Sequence, residues 1–377
     1  MINLKILLAL VQKEIREIIR DRVIILMILM MPVINLVVMG YSVNLDARNV
    51  TTIVIDHDNS LFSRSLISAM NNSGYFNISV VHEEIVARRK FSLGLVKILV
   101  HIPNDYSKGI ITDSNSDILV ETDATDPSST ANALQTLQYL IENTEYRDSY
   151  NYSSIANDSS RKTNVVFRKW FNPKGESQIN IVPGLMGIIL SIMPMLMVCL
   201  SIVRERERGT LQHIRGSGVS PFVYLSGKAI PYVMIGLLQL NLMLGISVTF
   251  LDIPMKGSYG ELLAVSSLFI LLSVVIGVSV TTIITNQLQA MQLLSFYFLF
   301  SNMLSGFLSP FEAMPQWSQW LGNLIPLTHF MRVIRGIMVK GNSITLMGNE
   351  LLHLVSVLLS VIIIGYFLIN RRWAKNT

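Results

Sequence analysis

Only one cysteine, Cys199, stands among 377 residues, so no disulfide can form within the chain. Charge is also scarce. Charged residues make up 15%, against roughly 25% in ordinary soluble proteins. With 51% hydrophobic residues and a mean hydropathy of +0.48, disorder is excluded and a single soluble globule is disfavoured. Catalytic signatures are missing too. No G-x-x-x-x-G-K-[ST] occurs, and its nearest imitation, Gly227-Lys228-Ala229, lacks the spaced glycine and the hydroxyl, so no P-loop is expected. The six histidines (57, 82, 101, 213, 329, 353) form no H-E-x-x-H or Cys/His cluster, and no nucleophile elbow appears. The chain reads as no enzyme, holding no cofactor and no metal. The net charge of +5 does not indicate nucleic acid, because residues 42–177 hold 13 basic and 16 acidic groups without aromatic interleaving.

What is abundant is long apolar runs. A bilayer core of about 30 Å needs roughly 20 apolar residues per helical crossing. Six stretches qualify: Val23–Tyr41, Ile179–Val203, Ala229–Leu251, Leu262–Thr285, Met291–Leu308 and Leu351–Asn370. The first three carry Pro32, Pro183 with Pro194, and Pro231, which membrane bundles tolerate because neighbouring helices re-satisfy the freed carbonyls. The first run exceeds the roughly 7–15 residues of a signal core and starts only after residue 22, so it reads as an uncleaved anchor. With both termini in the cytoplasm, the short inner flanks hold 13 basic residues and the short outer ones four (Lys256, Arg332, Arg335, Lys340), as the positive-inside rule requires.

Between the runs lie three informative segments. Residues 3–20 alternate apolar and charged positions at helical spacing, which suits a helix in the cytoplasmic interface or a helical extension of the first span into water. Residues 42–177 contain no span. Strand-like runs at Val50–Ile55, Phe76–Val81, Val96–Ile102 and Asp117–Thr122 alternate with helix-like runs at Leu61–Met70, Glu83–Phe91, Asp105–Ile111 and Ser129–Tyr146, which predicts an inserted extracytoplasmic α/β domain with a loop near 149–162. Residues 309–346 hold three prolines besides Trp317 and Trp320, which share a helical face, and read as short helices dipping into the outer leaflet or as a loop packed on the outer domain. The expected organisation is therefore 1–41 (interfacial helix and first span), 42–177 (extracytoplasmic domain) and 178–377 (five more spans, a cytoplasmic loop at 204–228 and the re-entrant segment 309–346).

The loop RERERGTLQHIRGSGVSPFVYLSGK leaves the second span with five alternating charges. Gly209 bends the path, Thr210 can cap a short helix over about 210–215, and Gly216, Gly218 and Pro221 end it. On physical grounds alone this is a short cytoplasmic helix or a solvated, positive-inside loop. The stretch resembles the loop of type 2 ABC exporter membrane subunits, the ABC-2 permeases, whose pattern runs E-[KR]-E-x-G-T-x-E-x-[LI], then a small/Pro stretch, then G-K. Here it is carried by Glu205, Arg206, Glu207, Gly209, Thr210, Ile214, Pro221, Gly227 and Lys228, with Gln212 where the family commonly has Glu. Two further blocks agree, one at Trp170, Phe171, Asn172, Pro173 and Pro183, the other at Ser305, Gly306, Phe307, Pro310, Met314, Pro315, Pro326, Leu327, Phe330, Arg335, Lys340 and Gly341. The large insertion resembles the drug-efflux-like branch.

The resemblance implies a polytopic α-helical permease subunit of the bacterial inner membrane, with six transmembrane helices. It implies ATP with magnesium bound by a separate ATPase seated on a coupling helix at Glu205, Arg206, Glu207, Gly209, Thr210 and Ile214. It also implies a second copy or a related permease subunit, leaves room for a periplasmic adaptor, and makes the cargo an amphiphile such as a drug-like compound or lipid. The spans carry almost no charge at depth, which argues against proton coupling. Asn35, Met193, Gln292, Ser295 and Asn302 are candidate pathway residues, with plain helix packing the simpler account. An assembly or secretion component, or a sensor, of the same architecture is the alternative function.

Overall fold

The computed structural model describes residues 2–42, 49–81, 83–112, 117–123, 133–144, 176–309 and 311–375. The 149–162 loop, the block at Trp170–Pro173 and Pro310 lie outside them. The chain divides into two compact units, residues 44–177 and the remainder.

In the 44–177 unit, the strand-like runs form β1 (Val50–Asp56), β2 (Phe76–Val80), β3 (Ile98–Ile102) and β4 (Leu119–Thr122), interleaved with α3 (Leu61–Asn72), α4 (Glu84–Ser92), α5 (Tyr106–Thr112) and a helix α6 over 133–144. The sheet order is β2-β1-β3-β4, with β1 parallel to both neighbours and β4 antiparallel to β3. Strand period decides the layers. Val50 and Val54 of β1 join Leu66, Met70, Phe76, Val100, Tyr106 and Leu137 on one face. Ile53 and Ile55 meet Ala87, Val96 and Leu99 on the other. Asp56 closes β1: its carboxylate accepts the backbone amides of Asp58 and Asn59 at 3.0 Å and the Ser63 hydroxyl at 2.7 Å. Ser60 then caps α3, accepting the amides of Phe62 and Ser63.

The other unit is helical. It comprises α1 (Ile2–Arg20), α2 (Arg22–Ser42), α7 (Gln178–Glu207), α8 (Thr210–Gly216), α9 (Pro221–Phe250), α10 (Tyr259–Val280), α11 (Gln287–Leu304), α12 (Gln316–Leu324), α13 (Pro326–Arg335) and α14 (Gly348–Lys375). Among the described residues four helical stretches are long and apolar enough to cross a bilayer: Gln178–Glu207, Pro221–Phe250, Tyr259–Val280 and Ile344–Ile369. A shorter apolar helix covers Ile28–Gly40. The other expected span falls on α11, whose 18 residues reach about 27 Å at 1.5 Å per residue and carry Gln287, Gln289, Gln292, Ser295 and Asn302.

The core runs through α7, α9, α10 and α13, with Met186, Leu190, Leu240, Ile270, Leu272, Phe330 and Ile334 fully enclosed. Phe269 and Phe330 stack at 4.0 Å. Pro183 and Pro194 sit inside the unbroken α7, and Pro231 inside α9. Gln239 of α9 ties two helices, donating to the Ile28 carbonyl of α2 at 3.0 Å, whereas Asn241, Ser247, Ser267 and Ser273 bond back to carbonyls of their own helices. In the 309–346 segment, α13 buries nearly every residue while Trp317 and Trp320 of α12 point outward, 67% and 83% exposed.

Candidate functional site

The short helix between two long ones is built by backbone geometry. α7 runs to Glu207, and Gly209 then adopts φ +74°, a left-handed conformation that a β-carbon would strain. α8 follows directly. Thr210 does not act as its cap: Gly209 holds the cap position, and the Thr210 hydroxyl donates back to the Glu205 carbonyl at 3.1 Å, fastening α8 to the end of α7. Gly218, at φ +72°, turns the chain again, and the Ser220 hydroxyl accepts the Val223 amide where Pro221 opens α9. α8 buries Leu211, half-buries Ile214, and leaves Gln212 and His213 exposed.

The charged run before α8 is distributed with purpose. Glu205 turns inward and is 6% exposed. Its carboxylate accepts the Tyr224 hydroxyl at 2.6 Å, pairs with Lys228 at 3.0 Å, and meets Lys13 of α1. Lys228 also pairs with Glu14 of α1 and donates to Ser201 of α7, while Tyr232 donates to Glu14 at 2.8 Å. The buried carboxylates of Glu14 and Glu205 thus meet the buried Lys228 and the half-exposed Lys13, which also pairs with the exposed Glu17, at a three-helix junction. Partial burial pulls the Lys13 ammonium toward neutrality, but Glu205 and Glu17 outweigh it and hold its pKa above the ordinary lysine value. The carboxylate oxygens of Glu14, Glu17 and Glu205 approach within 4.8 Å of one another, and the ammonium groups of Lys13 and Lys228 occupy the position a cation would take between them.

Arg206 reaches the other way. Its Nη1 donates to the carbonyls of Thr281 at 2.9 Å and Ile284 at 2.7 Å, just beyond the carboxyl end of α10, where a cation offsets the helix dipole. Glu207 accepts the Gln287 amide at 2.8 Å and its side-chain amide, at the amino end of α11, the complementary placement. Three consecutive residues at the root of α8 therefore hold α1 with α9, the end of α10 and the start of α11.

The predicted coupling residues Glu205, Arg206, Glu207, Gly209, Thr210 and Ile214 are brought together at this one corner. The predicted pathway residues are not gathered into one site. Gln292, Ser295 and Asn302 stand on one side of α11, at spacings of three and seven. Asn35 is exposed on α2 and its amide bonds back to the Met31 carbonyl, and Met193 packs against the core. Lys13, Glu14, Ser201, Tyr224, Tyr232 and Gln287 were not among the predicted site residues. Their signal is spacing: Ser201 and Glu205, and Tyr224, Lys228 and Tyr232, recur every fourth residue on single faces of mostly apolar helices.

Long apolar helices joined through a short helical elbow define a multi-pass membrane protein. A family model described as ABC-2 family transporter protein matches residues 22–371, and the chain belongs to that family. It is similar to the probable multidrug ABC transporter permease YbhS of Escherichia coli K12, 30% identical over 352 residues and 92% of both chains. It is also similar to YbhR, a probable multidrug ABC transporter permease of the same strain, 25% identical over 367 residues, 96% of this chain and 98% of that one. The inner membrane transport permease YhhJ of that strain is 25% identical over 366 residues, 92% and 91% of the two chains.

Proposed function

We propose that this chain is one membrane-spanning half of an ATP-driven exporter, with α8 as the coupling helix on which a separate ATPase subunit docks. Six crossings, formed by α2, α7, α9, α10, α11 and α14, place both termini and α8 in the cytoplasm of a bacterial inner membrane. The 44–177 unit and the α12–α13 segment lie on the extracytoplasmic side, with Trp317 and Trp320 at headgroup level. A second copy or a related subunit completes the pathway, and Gln292, Ser295, Asn302, Asn35 and Met193 are offered as its lining. The cargo is an amphiphile moved outward, in line with the multidrug naming of the YbhS and YbhR relatives. ATP and magnesium belong to the partner.

The observation that carries this reading is the distribution of Glu205, Arg206 and Glu207. A displacement of α8 by a moving partner reaches α1, α9, α10 and α11 through ion pairs and helix-end hydrogen bonds, as rigid-body coupling requires. The exposed Gln212 and His213 supply the docking face. The test separates docking from transmission. Gln212→Arg with His213→Glu should abolish co-purification of the ATPase. Arg206→Gln should preserve co-purification but leave ATP hydrolysis in proteoliposomes unresponsive to cargo and export at least tenfold slower. Co-purification and export both unchanged in the Gln212/His213 variant would overturn the assignment of α8.

A further inference from the structure

Arg335 ends α13 with its guanidinium turned into the protein. Nη1 makes one long hydrogen bond, 3.4 Å, to the carbonyl of Gly306, just past the end of α11. Nε is sealed from solvent and has no partner. Nη2 lies against α7: a methyl added at Gly184 would sit 3.3 Å from it and 2.8 Å from the ring of Phe307. Neighbouring charges are differently provided for. Arg332 pairs with Glu350 at 3.2 Å and covers the Phe311 ring, and Glu261 is taken up by Ser343 and the Ile344 amide. No carboxylate among the described residues pairs with Arg335.

Such an arrangement is costly as it stands. A charge withdrawn from water needs a counter-charge or a full set of acceptors. The carboxyl end of α11 supplies only about half an elementary charge, through one hydrogen bond of the five N–H groups a guanidinium offers. An anion that presents two or more acceptor oxygens would match this guanidinium, since a planar fork binds such a group better than an ammonium does. Apolar side chains stand exposed on the flanking segments: Met303 at 56%, Leu308 at 68% and Leu324 at 68%. That combination suits a molecule with an anionic head and an apolar tail.

We propose that Arg335, with the Gly306 carbonyl, Gly184 and Phe307 shaping its surroundings, is a binding site for the phosphate or carboxylate headgroup of a membrane amphiphile. The proposal requires membrane insertion and does not depend on the chain being an exporter.

The test compares the full-length chain in nanodiscs of phosphatidylcholine and of phosphatidylglycerol. Wild type should unfold several degrees higher in phosphatidylglycerol and retain one more anionic lipid per chain in native mass spectrometry than Arg335→Met. The Met variant should be at least as stable as wild type in phosphatidylcholine, because a buried charge without a protein carboxylate has been removed, and it should gain little from the anionic lipid, whereas Arg208→Gln at an exposed site should keep the wild-type gain. Arg335→Lys should keep part of the preference. Inorganic phosphate added to protein in phosphatidylcholine distinguishes the sources: stabilisation by phosphate alone assigns the site to small anions, and stabilisation by the lipid alone assigns it to a headgroup. Equal lipid retention and equal midpoints for wild type and Arg335→Met in both lipids would overturn the proposal. So would loss of stability by Arg335→Met in both lipids alike, which is the signature of a packing role or of a carboxylate from a second chain.

Discussion

Lys228 shows how much of a residue's role depends on contacts the linear sequence does not display. Its ammonium is 3% exposed and is shared by Glu14, 214 residues away, and by Glu205. In the sequence it reads as the end of a basic loop, and Glu14 as a charge on the polar side of an interfacial helix. Neither position announces the other, because pairing over such separations is set by which helix faces meet. What was legible was the i, i+4 recurrence of Tyr224, Lys228 and Tyr232. Removing one member of a buried ion pair strands the other, typically at a cost of about 3–5 kcal/mol. Lys228→Met should therefore lower the unfolding midpoint of the purified chain sharply. The double variant Glu14→Gln with Lys228→Met should recover much of that loss, since no stranded carboxylate remains at Glu14. Equal loss in the single and double variants would mean that packing, and not charge balance, holds the junction.

At the level of elements, the fold was largely readable. β-branched runs such as Val50–Ile55 marked strands of the 44–177 unit, and apolar length marked the long helices. The ends were less readable. The RERER run looks like a solvated charge block, yet Arg206 and Glu207 are spent on the ends of α10 and α11, a use visible only once those ends are adjacent. Close packing of α7 on α10 is also hidden, and it rests on Gly277. A β-carbon there would lie 2.5 Å from the Met195 carbonyl oxygen and 2.8 Å from Val198. Gly277→Ala should destabilise by about 1–3 kcal/mol, the usual cost of overpacking. Gly245→Ala in α9 meets nothing within 4 Å and should be neutral or stabilising by up to about 1 kcal/mol through helix propensity. Thermal unfolding of both variants in one detergent checks the contrast, and equal midpoints would contradict the α7–α10 interface.

For the whole molecule, the balance of basic residues between alternating flanks and the position of α8 must agree on one topology. Thirteen basic residues in the inner flanks against four in the outer predict that α8 faces the cytoplasm, where an ATPase is found, and that the Phe311–Ala313 turn faces outward. The chain supplies its own low background for a labelling test, since Cys199 is the sole cysteine and is buried. In a Cys199→Ala chain, His213→Cys on the exposed side of α8 should react with an impermeant maleimide in inverted vesicles and not in intact spheroplasts. Glu312→Cys, in the exposed turn ahead of α12, should show the reverse. Labelling at position 213 from outside would put the elbow on the side without ATP. The ion pairs and helix-end bonds at Glu205, Arg206 and Glu207 would then be structural only, because no cytoplasmic engine could push on them.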